Sequence, residues 1–180
     1  MSNLSGSSAT AVAQAGTYTS ALLDLLGRRD PLEVLRSTPA TIPVVVSGMT
    51  AAQIETPERA GKWSVRHVVQ HLGDAEMVVG VRLRLVLSEE RPPLIAYDQD
   101  VWADRLRYSE VSFVDALEQF TQLRRANLRL WAGLTEADQA RVGVHTERGE
   151  ESLGFMRRVH AGHDLAHLRQ ISRIREAVSG

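Results

Sequence analysis

Apolar residues recur at helical spacing in four long stretches of this chain, each closed by Gly, Pro or a polar run. In the first, about Thr17 to Arg29, Ala21, Leu22, Leu25 and Leu26 share one face. Asp30-Pro31 breaks it, and a shorter helix follows through Leu35. Gly61-Lys62-Trp63-Ser64 reads as the entry to a second long helix, from Val65 to about Leu87, with Ser64 as N-cap. His67 stands where a capping box wants Glu or Gln, so that box is incomplete. Arg91-Pro92-Pro93 follows the end of this helix. A segment carrying Tyr97, Asp98, Asp100 and Trp102 leads to a third helix, about Val111 to Gly133. A polar connection through Gly143 and Gly149 leads to the last, about Glu151 to Val178. The lone β-branched cluster, Ile42-Pro43-Val44-Val45-Val46, holds a proline and has no partner strand, so it is expected to open a helix. The pattern predicts an all-α four-helix bundle with short additional helices and no sheet.

Composition narrows the chemistry more than the fold. With 180 residues and 43% hydrophobic content, the chain suffices for one core, expected over residues 17–180. Residues 1–16 are small and polar, with neither a basic n-region nor an apolar h-region, and read as a flexible terminus rather than a signal peptide. Arg interrupts every long apolar run, so no membrane span is expected and the default compartment is the cytoplasm. Basic and acidic residues nearly cancel, 21 against 22, which gives no footprint for nucleic acid or an anionic membrane. The absence of cysteine excludes disulfides, thiolate metal sites and cysteine nucleophiles. Lys62 is the one lysine and lies in no phosphate-binding or Schiff-base motif. Metal or proton chemistry must rest on six histidines, the carboxylates and the hydroxyls.

Five of those histidines fall in two helices: His67 and His71 in the second, His160, His163 and His167 in the last. His145, in the polar connection, reads as a solvated surface residue. On the last helix the apolar stripe is Leu153, Met156, Val159, Ile171, Ile174 and Val178. At about 100° per residue, His163 and His167 lie near its middle, within roughly 40° of each other, and His160 points much the same way. One buried histidine is ordinarily a core residue with a hydrogen bond. Three unpartnered rings on one stripe would each cost on the order of 1–3 kcal/mol, and a metal supplies the missing partner. An i, i+4 pair brings two imidazoles to one point. The third ligand must come from another helix. On the second, His71 lies roughly 100° from the apolar direction and His67 roughly 140°, which favours His71 turning inward and His67 facing solvent. Asp74 and Glu76 stand as either acceptors for the ring nitrogens or ordinary surface carboxylates.

Other metal readings are weaker. No histidine has Glu three positions before it, which excludes the ferritin-like di-iron pattern. His163-Asp164-Leu165-Ala166-His167 has Asp where a zincin has Glu, one methylene short of the metal's water. Bis-histidine haem fits a bundle in geometry, with no further feature in its favour.

Three strings together resemble the DinB-like bundle family of metal-dependent hydrolases and small-thiol S-transferases: Gly61-Lys62-Trp63-Ser64-Val65-Arg66 with Val69-Gln70-His71-Leu72-Gly73-Asp74-Ala75-Glu76, then Tyr97-Asp98-Gln99-Asp100-Val101-Trp102-Ala103, then His160-Ala161-Gly162-His163-Asp164-Leu165-Ala166-His167-Leu168-Arg169-Gln170-Ile171. In this order they cover most of residues 18–178. The resemblance implies a DinB-type bundle with one divalent metal on His71, His163 and His167, the set that the helical faces also favour. It further implies a small-molecule substrate, in some members a low-molecular-weight thiol, and a homodimer. Three imidazoles suit Zn, Ni, Fe or Co and leave positions open for water or substrate.

The expected chemistry is activation of a thiol or a water as nucleophile. Asp164 and Gln170 are candidates to orient ligands or substrate, and His160 is a candidate proton carrier or contact behind the ligands. The rival reading is a non-catalytic stress or interaction protein that binds a metal structurally or a small ligand between helices. Trp131 is expected in the core.

Overall fold

The computed structural model describes residues 8–179, with side chains from residue 16 onward. Eight α-helices are present there: α1 Ser8–Leu26, α2 Pro31–Val45, α3 Ala51–Glu55, α4 Val65–Ser88, α5 Gln99–Arg105, α6 Phe113–Ala132, α7 Glu136–Ala140 and α8 Leu153–Val178. The second, third and last long helices match α4, α6 and α8 to within two residues. The first begins at Ser8 rather than Thr17, and residues 1–7 of the expected flexible terminus lie outside the described residues.

Each entry has a local cause. Asp30 caps α2 by accepting from the backbone N–H groups of Leu32 and Glu33, with Pro31 in the first turn, where no N–H is needed. Ser112 and Ser152 cap α6 and α8 in the same way. Ser64 precedes α4 but makes no cap bond; its hydroxyl pairs with His67 Nδ1 at 2.8 Å.

Ile42–Val46 closes α2 instead of opening a helix. Pro39 and Pro43 both lie inside α2, because proline's fixed φ suits a helix even where its missing N–H does not. Ile42 and Val46 are buried there, and that packing holds the last turn.

The core is double. One apolar cluster gathers Leu26, Leu35, Leu83, Trp131, Leu153 and Met156; the other gathers Ile42, Val68, Leu72, Phe120, Ile171 and Ile174. Trp131 is in the core as expected. Helices α4 and α6 run from the second cluster to the first, whereas α2 and α8 run from the first to the second. The bundle is therefore α2, α4, α6 and α8, with the closely packed α4 and α6 parallel and joined by the long crossover through α5. Between the clusters lies a belt of buried polar residues from α4, α6 and α8.

Helix α1 lies chiefly along α8 and depends on Gly162. A Cβ at that position would sit 2.2 Å from the carbonyl oxygen of Leu22. Gly162→Ala is expected to push α1 off α8, at a cost of about 1–3 kcal/mol or more, read as a lower urea midpoint.

A small sheet is present where none was expected: β1 Pro93–Leu94, β2 Val142–His145 and β3 Gly149–Ser152. Strand β1 pairs parallel with β2, and β2 antiparallel with β3, with His145 opposite both Leu94 and Gly149. Its pattern was concealed because Gly143 and His145 are the buried positions of β2 while Val144 faces out. Only glycine fits at 143, since a Cβ there would stand 2.8–2.9 Å from Leu94 and Val86.

Candidate metal centre

Three imidazoles meet at the belt. His71 comes from α4, and His163 and His167, one turn apart, come from α8. The Nε2 of His163 lies 3.1 Å from that of His71 and 3.0 Å from that of His167. Donor atoms of the three all lie within 4.8 Å of one another. Nitrogens held at ~2.0–2.1 Å from one ion in tetrahedral geometry stand about 3.4 Å apart, so the cluster is close to that spacing.

Proton accounting also favours a cation. Gln170 Oε1 is 2.8 Å from His167 Nδ1, which assigns the ring proton to Nδ1 and leaves Nε2 with its lone pair inward. Burial pushes all three rings below the usual histidine range, most strongly His71 and His163, where repulsion from neighbouring rings adds to it; at His167 the Gln170 bond and Asp164 work against it. Neutral rings with converging lone pairs are a donor set for a divalent ion. Among the described residues the remote Nδ1 atoms of His71 and His163 are buried without a partner, so of these residues Gln170 alone orients a ring of the trio through its far nitrogen.

His71 is 1% exposed, deeper than a boundary position. The reason is that α4 is covered on every side from Val68 to Glu76. Asp74 and Glu76 are buried as well, which overturns the surface reading. Asp74 accepts from the Tyr108 hydroxyl at 2.6 Å. His67 is half-buried, held by Ser64, and takes no part in the trio.

Behind the trio, Arg124 joins four helices. From α6 its Nε donates to Glu76 of α4 at 2.8 Å, and its two terminal nitrogens grip Asp164 of α8 at 2.6 and 2.9 Å. Its Nη1 also reaches the carbonyl of Leu35 in α2 at 2.7 Å. That carbonyl would ordinarily accept from residue 39, which is Pro39 and has no N–H. The arginine thus satisfies a backbone group that the sequence itself leaves open. Glu76 further accepts from Asn127 and pairs with His160. Burial alone would raise the Glu76 carboxyl, but His160 and Arg124, with the hydrogen bonds of His160 and Asn127, hold it at about 2.

The two candidate catalytic residues fall in this network. Asp164 is fully buried with both oxygens on Arg124. His160 turns its Nε2 to Glu76 and stacks on His163, with ring centres 6.2 Å apart. A cavity of about 230 Å³ opens from His71, His160 and His163 toward Tyr97, Arg82 and the hairpin.

His145 lines that cavity and is 2% exposed, so the solvated reading is corrected. Strand β2 carries it inward. Burial, then the charges of Arg148 and Arg82, lower its ring to about 4. Sequence reasoning also passed over Arg124. Its signal was the spacing of Ala116, Phe120, Arg124, Asn127 and Trp131, which places two polar residues on the buried face of α6.

Among the described residues, no helix is long and apolar enough to cross a membrane. The model of the DinB superfamily matches residues 35–171. A Bacillus subtilis protein named "Putative metal-dependent hydrolase YfiT" is 31% identical over 147 residues, 79% of this chain and 82% of the relative. A relative of the same description from Oceanobacillus iheyensis is 30% identical over 138 residues, 77% of this chain and 80% of its own. The solved structure of YfiT from Bacillus subtilis is described as a probable metal-dependent hydrolase with an unusual four-helix bundle topology. It matches with a TM-score of 0.75 at 27% identity, covering 82% of this chain and 90% of that one.

Proposed function

The chain belongs to the DinB superfamily, and from that membership we propose that it is a metal-dependent enzyme acting on a small molecule. The observation that carries this is the convergence of three inward-facing Nε2 atoms, from His71, His163 and His167, beside a cavity that His71 and His163 line. A divalent ion held there would supply Lewis-acid activation of a nucleophile, a water for hydrolysis or a small thiol for S-transfer. The chain's own part is to present three neutral rings, fix His167 through Gln170, and brace α8 through Asp164 and Arg124. His160 stands at the cavity wall with Glu76 behind it, placed to hold a proton near the reacting end. The names carried by the relatives favour hydrolysis, and the absence of cysteine is compatible with a sulfur brought by the substrate.

Catalytic and structural metal sites separate under chelation. Because two apolar clusters and the Arg124 network tie the helices together without the ion, metal removal is expected to leave helicity intact. Hydrolysis of a small ester and amide panel, or conjugation of thiols to electrophiles, should vanish and return with added metal. Unfolding on chelation would instead mark a structural site.

Gln170→Leu tests how the ligand is oriented. Losing the acceptor on His167 Nδ1 is expected to weaken metal affinity about 10–100-fold without unfolding the bundle, measured by competition with a chromogenic chelator.

A further inference from the structure

At the end of the cavity away from the trio, two buried nitrogens lack partners among the described residues. The first is His145 Nε2. The backbone N–H of Glu147 donates to His145 Nδ1 at 3.1 Å, so the neutral ring carries its proton on Nε2 and offers it as a donor. The second is Nε of Arg82, from α4. The Arg82 guanidinium has one described bond, to the carbonyl of Ile95, and no carboxylate pairs with it among the described residues. Both residues line the cavity that His71 and His163 line.

The nearby carboxylates do not pair with this cation. Arg148 is paired through two nitrogens with both oxygens of Glu151. Glu147 is exposed at the mouth. Arg82 therefore faces the cavity without a carboxylate of its own, since Glu151 is taken by Arg148 and Glu147 stands in solvent. A half-buried guanidinium with an open Nε, in one cavity with a neutral ring whose N–H is also open, is a donor set for an oxyanion.

We infer that Arg82 and His145 form a carboxylate-binding subsite, so that the substrate is a small carboxylate-bearing molecule with its reacting group toward His71 and His163. The inference rests on the proposed metal site for the reacting end alone; the subsite is built from the chain. Arg82 is a specificity-determining residue and His145 its partner donor. Arg82 is tied to the end of β1, and His145 is the last residue of β2, so the small sheet sets the distance between the anion and the reacting group.

The test is a titration of zinc-loaded protein, with metal-free protein in parallel, using butyrate and its neutral isostere butyramide. Binding is followed by NMR at the Arg82 Nε–H, the His145 ring and the Tyr97 amide. Butyrate is expected to give saturable shifts at these groups, and butyramide to bind about tenfold or more weakly. Arg82→Met, checked for unchanged helicity, is expected to erase the preference at the His145 and Tyr97 resonances. Equal binding of the two probes, or a preference that survives Arg82→Met, overturns the subsite. Failure of the protein to take up zinc sinks the metal-enzyme reading while the metal-free titration still decides the subsite.

Discussion

Arg124→Leu is expected to destabilise the fold by about 3–5 kcal/mol, the range for removing one partner of a buried ion pair. The substitution strands Asp164, leaves Glu76 with only Asn127 and His160, both carboxylates having no exposed surface, and reopens the Leu35 carbonyl that Pro39 leaves unpaired. Against a typical domain stability of about 5–15 kcal/mol, that loss is large enough to populate unfolded chains at room temperature in urea far below the wild-type midpoint. Arg124→Lys should recover part of it, since an ammonium keeps the charge but not the two-pronged grip on Asp164. The comparison is made by urea unfolding with the slope held equal.

The same network sets an acid limit. Glu76 has its carboxyl lowered from 4.5 to about 2 in the fold. A depressed folded value stabilises the protein fully above the unfolded value of 4.5, and that contribution fades as pH falls through 2. It amounts to on the order of 3 kcal/mol. Unfolding midpoints should therefore fall steeply between about pH 4.5 and 2, and Glu76→Gln should flatten that slope while lowering stability at pH 7.

The second large effect is on metal. His163 stands between the other two rings, with its Nε2 within 3.1 Å of both. His163→Ala removes the middle donor and leaves His71 and His167 on separate helices. Metal content, by elemental analysis of tag-free protein, is expected to fall from near one ion per chain to a small fraction. Helicity should hold, because the network through Arg124 does not include His163. His67→Ala, whose ring is occupied by Ser64, is the matching control and should keep its metal.

The sequence announced α8 most clearly. An apolar stripe with histidines at its centre has one physical solution in a bundle, and His163 and His167 follow from it. His71 was harder, because a stripe argument assumes that the rest of the helix meets water. Residues 68–76 of α4 meet other protein instead, so an off-stripe ring is as buried as an on-stripe one. Arg124 and Glu76 were hidden for a related reason. A charged residue on a helix is read as surface unless its partners are known, and these partners lie 40 and 48 residues apart from Arg124 in sequence. The hairpin that carries His145 escaped because a buried Gly143 and an exposed Val144 invert the polarity of strand alternation. The helical architecture was legible from periodicity; the cavity wall built by β2 and β3 was not.

The central claim is that His71, His163 and His167 together hold one divalent ion. Anomalous diffraction from crystals of the zinc-loaded protein, collected on both sides of the zinc edge, tests it most directly. The predicted result is one strong peak about 2.0–2.1 Å from the Nε2 of all three rings. A peak at other donors, or on fewer than three of these histidines, would contradict it.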